Sequence, residues 1–246
     1  MGETTLIDLS RLMVLRRKLD VAANNVANME TTAYRAQHLS FEEYLAPMKG
    51  EEIGVKRERP LSLVDAASAF TSSGAGGIRT TGNPLDLAID GDAYFAIQTN
   101  QGPRYTRDGS FTLDGTGRLV TETGQPVLTD RGVVIIPPQA REITIDAQGQ
   151  ISTKQGALGR LRLVKIPQST PLQAVGGNLF QSDRSAVDAP IGSVKLIQGA
   201  LENSNVQPTF EMSRLAEINR SYEIAGKLLK NSQDVTDLNK LAEVPE

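Results

Sequence analysis

LMVLRRKLDVAANNVANM, residues 12–29, decides how the rest of the chain reads. Apolar side chains recur at Leu12, Leu15, Leu19, Ala22, Val26 and Met29, in alternating steps of three and four residues. An apolar position every three to four residues draws one narrow seam along a helix, the pattern of a coiled-coil contact. Arg11, Arg17, Lys18 and Asp20 take the other face. A single helix with such a seam exposed is marginal in water, so the pattern predicts a partner. The match lies near the other end of the chain. Leu215, Ile218, Tyr222, Ala225 and Leu229 repeat the alternation, and Glu211, Arg214, Glu217, Arg220, Glu223 and Lys227 line the outside. The expected fold class is therefore α+β, with N- and C-terminal helices paired as a coiled coil and an antiparallel all-β central domain between them. The alternative is a helical hairpin capping one ordinary domain. Against it, Leu6, Ile7, Leu9, Val14, Val21, Ile224 and Leu228 widen the apolar surface beyond the seams, which suits helices that also touch other chains.

Taken in order, residues 1–35 read as the first helix and its exit, with Thr4 or Thr5 as N-cap. Asn24, Asn25 and Asn28 weaken a helix. Either the helix frays there into Asn-rich turns, or the amides bond across a helix interface and fix its register. METTAYR (29–35) ends the helix, and Phe41, Tyr44 and Leu45 suggest one short helical turn. Residues 36–80 read as an extended connector, charged first and then rich in small residues. Its Gly74-Ala75-Gly76-Gly77 run lacks the Lys-Ser/Thr and the preceding strand of a phosphate loop.

Residues 81–198 read as the β domain. Leu85, Leu87 and Ile89 alternate with polar or small residues, the period of a half-buried strand. Asp90-Gly91, Asp108-Gly109 and Asp114-Gly115 supply turns with positive φ angles. Further strands are expected at Ala93–Gln98, Val133–Ile136, Ile143–Ile145, Gly159–Ile166 and Val194–Leu196. Residues 199–246 form the last segment. Thr209 is the expected cap of a helix reaching about Lys230, with Val235, Leu238 and Leu241 extending it weakly.

Composition excludes several functions. The 246 residues carry a net charge of -3, which gives no electrostatic footprint for nucleic acid. With no Cys, there is no disulfide, thiolate nucleophile or thiolate metal site. No apolar run approaches the ~20 residues of a membrane span, and Glu3 and Asp8 precede the first basic cluster, which is not the charge order of a cleavable leader. The lone His38 has no catalytic partner in sequence and reads as solvent-facing. Asp86, Asp90 and Asp92 are close together but lack a complete calcium loop. Arg104, Tyr105, Arg107 and Asp108 read as turn and sheet-edge chemistry. No catalytic residue, metal, cofactor or small-molecule substrate is expected.

Three separate stretches carry a resemblance. LDVAANNVANMETTAYR (19–35) resembles the N-terminal signature of flagellar rod and hook proteins, in which an Ala-Asn-Asn-x-Ala-Asn core leads into Thr-Thr-Gly-Phe. TGNPLDLAIDGDAYFAIQT (81–99) and YTRDGSFTLDGTGRLVTETGQPVL (105–128) resemble their central block, and GALENSNVQPTFEMSRLAEINRSYE (199–223) their C-terminal helix. Length and the FEEYL segment (41–45) resemble the proximal-rod members more than the longer distal-rod ones. The resemblance implies a non-enzymatic subunit of the bacterial flagellar basal body. Such subunits assemble helically into a periplasmic rod, beside proximal and distal rod proteins. They line it with their terminal helices and are exported unfolded through the flagellar type III apparatus without a cleaved signal peptide. It implies a helix interface built from Leu12, Leu15, Leu19, Ala22, Asn24, Asn25, Val26, Asn28, Leu215, Ile218, Tyr222, Ala225 and Leu229, and a connector that orders on assembly. Ala33-Tyr34 departs from the family's Gly-Phe, at a turn where Gly is expected.

Overall fold

The computed structural model describes residues 3–46, 61–72, 74–138, 140, 142–167, 172–182 and 186–242. They fall into two compact units, one drawn from 1–27, 37–72 and 207–246, the other from 28–36 and 73–206.

The first unit holds α1 (Glu3–Ala27), β1 (Gln37–Ala46), β2 (Leu61–Thr71) and α2 (Pro208–Ala242). The helices contact each other, and α1 also touches β1 and β2. Two expected caps lie inside helices. Thr4 and Thr5 sit within α1, and Thr209 within α2, where its carbonyl accepts the Ser213 hydroxyl at 2.9 Å. Pro208 starts α2 because a first-turn residue needs no N–H partner and proline's fixed φ already suits the helix. Helix α2 continues to Ala242, well beyond Lys230.

LSFEEYL (39–45) is strand, not a helical turn. β1 pairs antiparallel with β2, with His38 opposite Phe70 and Tyr44 opposite Leu63, and a register shift between Ser40 and Glu42. The ladder runs from Gln37 opposite Thr71 to Ala46 opposite Leu61, and this pairing decides for strand. His38 is half-buried, its ring 5.6 Å from that of Phe70, rather than facing solvent. Residues 47–60 of the expected connector lie outside the described residues.

The second unit is β throughout. It begins with β3 (Ile78–Thr80), β4 (Leu87–Asp90), β5 (Tyr94–Thr99), β6 (Gly102–Thr106), β7 (Phe111–Leu113) and β8 (Leu119–Thr121). Next come β9 (Leu128–Thr129), β10 (Gly132–Val133), β11 (Ile143–Ile145), β12 (Gln150–Thr153), β13 (Gly156–Arg160) and β14 (Leu163–Lys165). It ends with β15 (Leu172–Ala174), β16 (Phe180–Ser182), β17 (Val187–Asp188), β18 (Lys195–Gln198) and β19 (Ala200–Glu202). The largest sheet runs β15-β16-β6-β5-β14-β17, and β4 pairs with β18 and β3 with β19, all antiparallel.

Leu87, Ile89, Phe95, Ile97, Phe111 and Leu119 form the centre of the core. Phe95 meets Phe111 edge to face at 5.0 Å, the favoured aromatic geometry. The expectation of a half-buried strand fails at β4, where Leu87, Ala88 and Ile89 are all buried. Ala88 is small enough to be enclosed on the face that alternation assigned to solvent. The Asp-Gly pairs also differ among themselves. Gly91 has the positive φ of 126° expected of a turn. Gly109 is needed for another reason: a Cβ there would lie 1.8 Å from the Leu87 carbonyl oxygen, across the bond in which Leu87 N–H donates to Gly109 O at 3.0 Å.

Candidate functional site: helix seams and a buried charge cluster

Covered positions on both helices include the seam residues and others, among them Val14 and Val21. Ala22, Ile218 and Ala225 are buried, and Leu12, Leu15, Leu19, Val26, Leu215, Tyr222 and Leu229 are half-buried. Off the seams, large apolar side chains face solvent: Leu9 (47% exposed), Met13 (58%), Ile224 (59%) and Leu228 (55%). Met13 was not singled out from sequence, nor were Phe210 and Met212, which are also exposed.

The three asparagines have separate surroundings. Asn25 is fully buried, and its amide donates to Gln37 O at 3.0 Å while accepting from Gln37 N–H at 2.9 Å. The side chain thus mimics a strand neighbour for the first residue of β1. Asn28 is half-buried in the turn after α1, accepting from the Thr31 N–H at 3.1 Å and the Thr31 hydroxyl at 3.2 Å. Asn24 is exposed.

Inside the β unit lies a charge cluster that sequence reasoning missed. Glu202 is held at one carboxylate oxygen by Arg107 Nε at 2.7 Å, and at the other by Arg35 Nη2 at 3.2 Å and Gly76 N–H at 3.0 Å. All three charged side chains are nearly inaccessible to solvent. Arg107 also donates to the carbonyls of Gly91 (2.9 Å), Ala93 (2.8 Å) and Ile89 (3.1 Å), and stacks 5.8 Å from the Tyr94 ring centroid. Arg35 donates to Gly74 O. Desolvation lowers the Arg35 pKa, with Glu202 opposing, and burial raises that of the Tyr94 phenol. Arg107 is therefore a core residue, not sheet-edge chemistry. Nor is Gly74–Gly77 a phosphate loop: a Cβ at Gly76 would lie 1.9 Å from Asn203 O, so its glycine lets the backbone reach Glu202.

Asp86 spends its carboxylate on the Thr81 hydroxyl at 2.6 Å and the Asn83 amide at 2.8 Å, tying down the turn before β4, while Asp90 and Asp92 are exposed. A polar cavity of about 270 Å³ is lined by Asn28, Thr31, Thr106, Asp108, Glu122 and Asn178, among others. Burial raises the Asp108 pKa, against hydrogen bonds from Ser110 and Asn178.

Comparison with known proteins places this geometry. The flagella basal body rod protein model matches residues 6–35, the flagellar hook protein FlgE/F/G D1 domain matches 88–153, and the flagellar basal body rod FlgEFG protein C-terminal model matches 197–240. The chain is 35% identical to the flagellar basal-body rod protein FlgF of Caulobacter vibrioides, across 96% of both chains. The chain belongs to the flagellar basal-body rod protein family. It is also 34% identical to FlgF of Rhizobium meliloti, over 94% of this chain and 93% of that one. With FlgG of Bacillus subtilis the identity is 31%, over 92% and 94%. As a rod-family member it is a structural protein of the flagellum, and not an enzyme. Arg35, Arg107 and Glu202 fall one in each matched segment, so the cluster is where the three segments meet. At the turn where Gly is expected from the resemblance, Ala33 takes the left-handed conformation, at φ 54°. Among the described residues, no helix is long and apolar enough to cross a membrane.

Proposed function

We propose that this rod-family subunit builds the proximal rod, where its two terminal helices pair as a coiled coil and pack against helices of proximal and distal rod neighbours in a helical assembly. The interface is Leu12, Leu15, Leu19, Ala22, Asn24, Asn25, Val26 and Asn28 on the N-terminal side and Leu215, Ile218, Tyr222, Ala225 and Leu229 on the C-terminal side. The assembly stands in the periplasm, and the subunit reaches it unfolded through the type III export apparatus with no leader removed.

The observation that carries this reading is the division of apolar surface on α1 and α2. Their seams are covered within the chain, yet Leu9, Met13, Ile224 and Leu228 remain about half exposed. Exposed leucines and isoleucines along helices are a liability for a free protein and an asset for one that is covered by neighbours. Two classes of substitution test it. Leu19→Asp and Ile218→Asp attack the covered seam, where a packed aliphatic is worth roughly 2 to 5 kcal/mol. Ile224→Asp and Leu228→Asp attack the exposed side. Both classes are expected to abolish rod assembly in purified basal bodies and motility in soft agar. Only the seam class is expected to lower the helical circular dichroism of the free subunit. Normal rods from both classes would refute the proposal.

A further inference from the structure

Residues 28–36, between α1 and β1, have no regular structure of their own. They are held by residues far along the chain. Ala33 N–H donates to Glu202 O at 2.8 Å, and Ala36 N–H to Asn205 Oδ1 at 2.7 Å. Tyr34 O accepts from Asn205 N–H at 3.2 Å, and Thr32 O from the Asn178 amide at 2.7 Å. Arg35 reaches Glu202, and Tyr34 and Ala36 pack on Val206. The Asn205 amide also donates to Gly74 O, the carbonyl that Arg35 uses.

We propose that residues 28–36 are a strap that closes last, onto Glu202 and Asn205, so that the exit from α1 becomes ordered only in a chain complete past residue 205. Three features make earlier closure unfavourable. Ala33 must hold a left-handed φ of 54°, which an L-residue adopts against its local preference. Arg35 must leave water, and burial of a guanidinium without Glu202 leaves its charge uncompensated. The Ala36–Asn205 contact spans 169 residues, so the entropy of closing that loop falls before the contact returns anything. Once β19 is paired with β3, the carboxylate of Glu202, its carbonyl and the Asn205 amide stand ready together. The N-terminal signature thus reports the presence of the C-terminal one, and a truncated or partly emerged chain keeps the strap open.

Amide hydrogen exchange on the full-length chain tests this in two ways. In pulse labelling during refolding from urea, Ala33 and Ala36 are expected to gain protection after the core amides of Ala96 and Val127, which bond to Arg162 O and Leu119 O. Protection of the strap before or together with the core overturns the proposal. At equilibrium, Asn205→Ala removes the Ala36 contact without leaving a buried charge. It is expected to cut strap protection about 10-fold, with Ala96 and Val127 unchanged. Unchanged strap protection in Asn205→Ala, or an equal loss in strap and core, overturns it as well.

Discussion

Arg107→Met probes the charge cluster while keeping most of the buried stem. The wild-type guanidinium makes four hydrogen bonds, one to Glu202 and three to the carbonyls of Ile89, Gly91 and Ala93. Breaking a buried pair by removing one partner costs about 3 to 5 kcal/mol. Glu202 keeps Arg35 and the Gly76 N–H, so its share lies near the lower end of that range. The three carbonyls add roughly 1 kcal/mol each, because a carbonyl that loses a donor in the interior is only partly compensated. With overlap between these costs, Arg107→Met should lose about 4 to 6 kcal/mol, much of the roughly 5 to 15 kcal/mol that holds a typical domain together. Arg107→Lys keeps the charge but not the fork that reaches four acceptors, and should lose about half as much. Urea unfolding reads this out, followed by far-ultraviolet circular dichroism and by tyrosine emission, which no Trp obscures. Arg107→Met in Glu202→Gln should cost about 2 kcal/mol less than in the parent, since no carboxylate is then stranded. An Arg107→Met protein within about 1 kcal/mol of wild type would refute the reasoning, because the cluster would then add nothing beyond its packing.

Four other substitutions have definite outcomes. The Asp108 pKa is raised in the folded chain, so its contribution is fully present below the ordinary carboxylate range and is lost as pH rises through the folded value. Asp108→Asn should therefore be more stable than wild type near pH 7, with the gain gone by about pH 3, as read by paired urea titrations. At Ala33, buried and left-handed, Ala33→Gly should stay within about 1 kcal/mol of wild type, since relieved strain offsets lost burial and added chain entropy. Ala33→Val should lose about 3 kcal/mol in the same assay, because a β-branched side chain resists positive φ. Gly109→Ala forces a Cβ onto the Leu87 carbonyl oxygen, and the β4 backbone must move to admit it. A loss of roughly 3 kcal/mol or more in melting or urea unfolding is expected, with Leu87 amide protection falling most.

Much of the fold was legible because its signals are local. The three-four alternation marks α1 and α2 as helices. Strands at Ile143–Ile145 and near Tyr94–Thr99 follow from β-branched and aromatic runs between turn residues. Errors arose where the answer depends on distant partners. LSFEEYL has helix-forming residues, but its pairing with β2 makes it strand. Arg107 sits beside an Asp-Gly turn, which suggests the surface, and its burial is set by Glu202, 95 residues away. Glu202 itself follows Ala200 and Leu201 in a strand buried at all three positions, and a lone acid in such a run was the available hint. The three resembling stretches were visible one by one, whereas their meeting at one carboxylate was not.

That meeting sets a rule for recombining this chain with a relative. A chimera that takes its opening segment from one parent and its closing segment from another inherits Arg35 and Glu202 from different sources, with Arg107 supplied by whichever parent donates the middle. Such hybrids should keep full stability only when all three charges are carried across together. A mosaic that breaks the trio should lose stability wherever its crossover points fall, however good each parental block is alone.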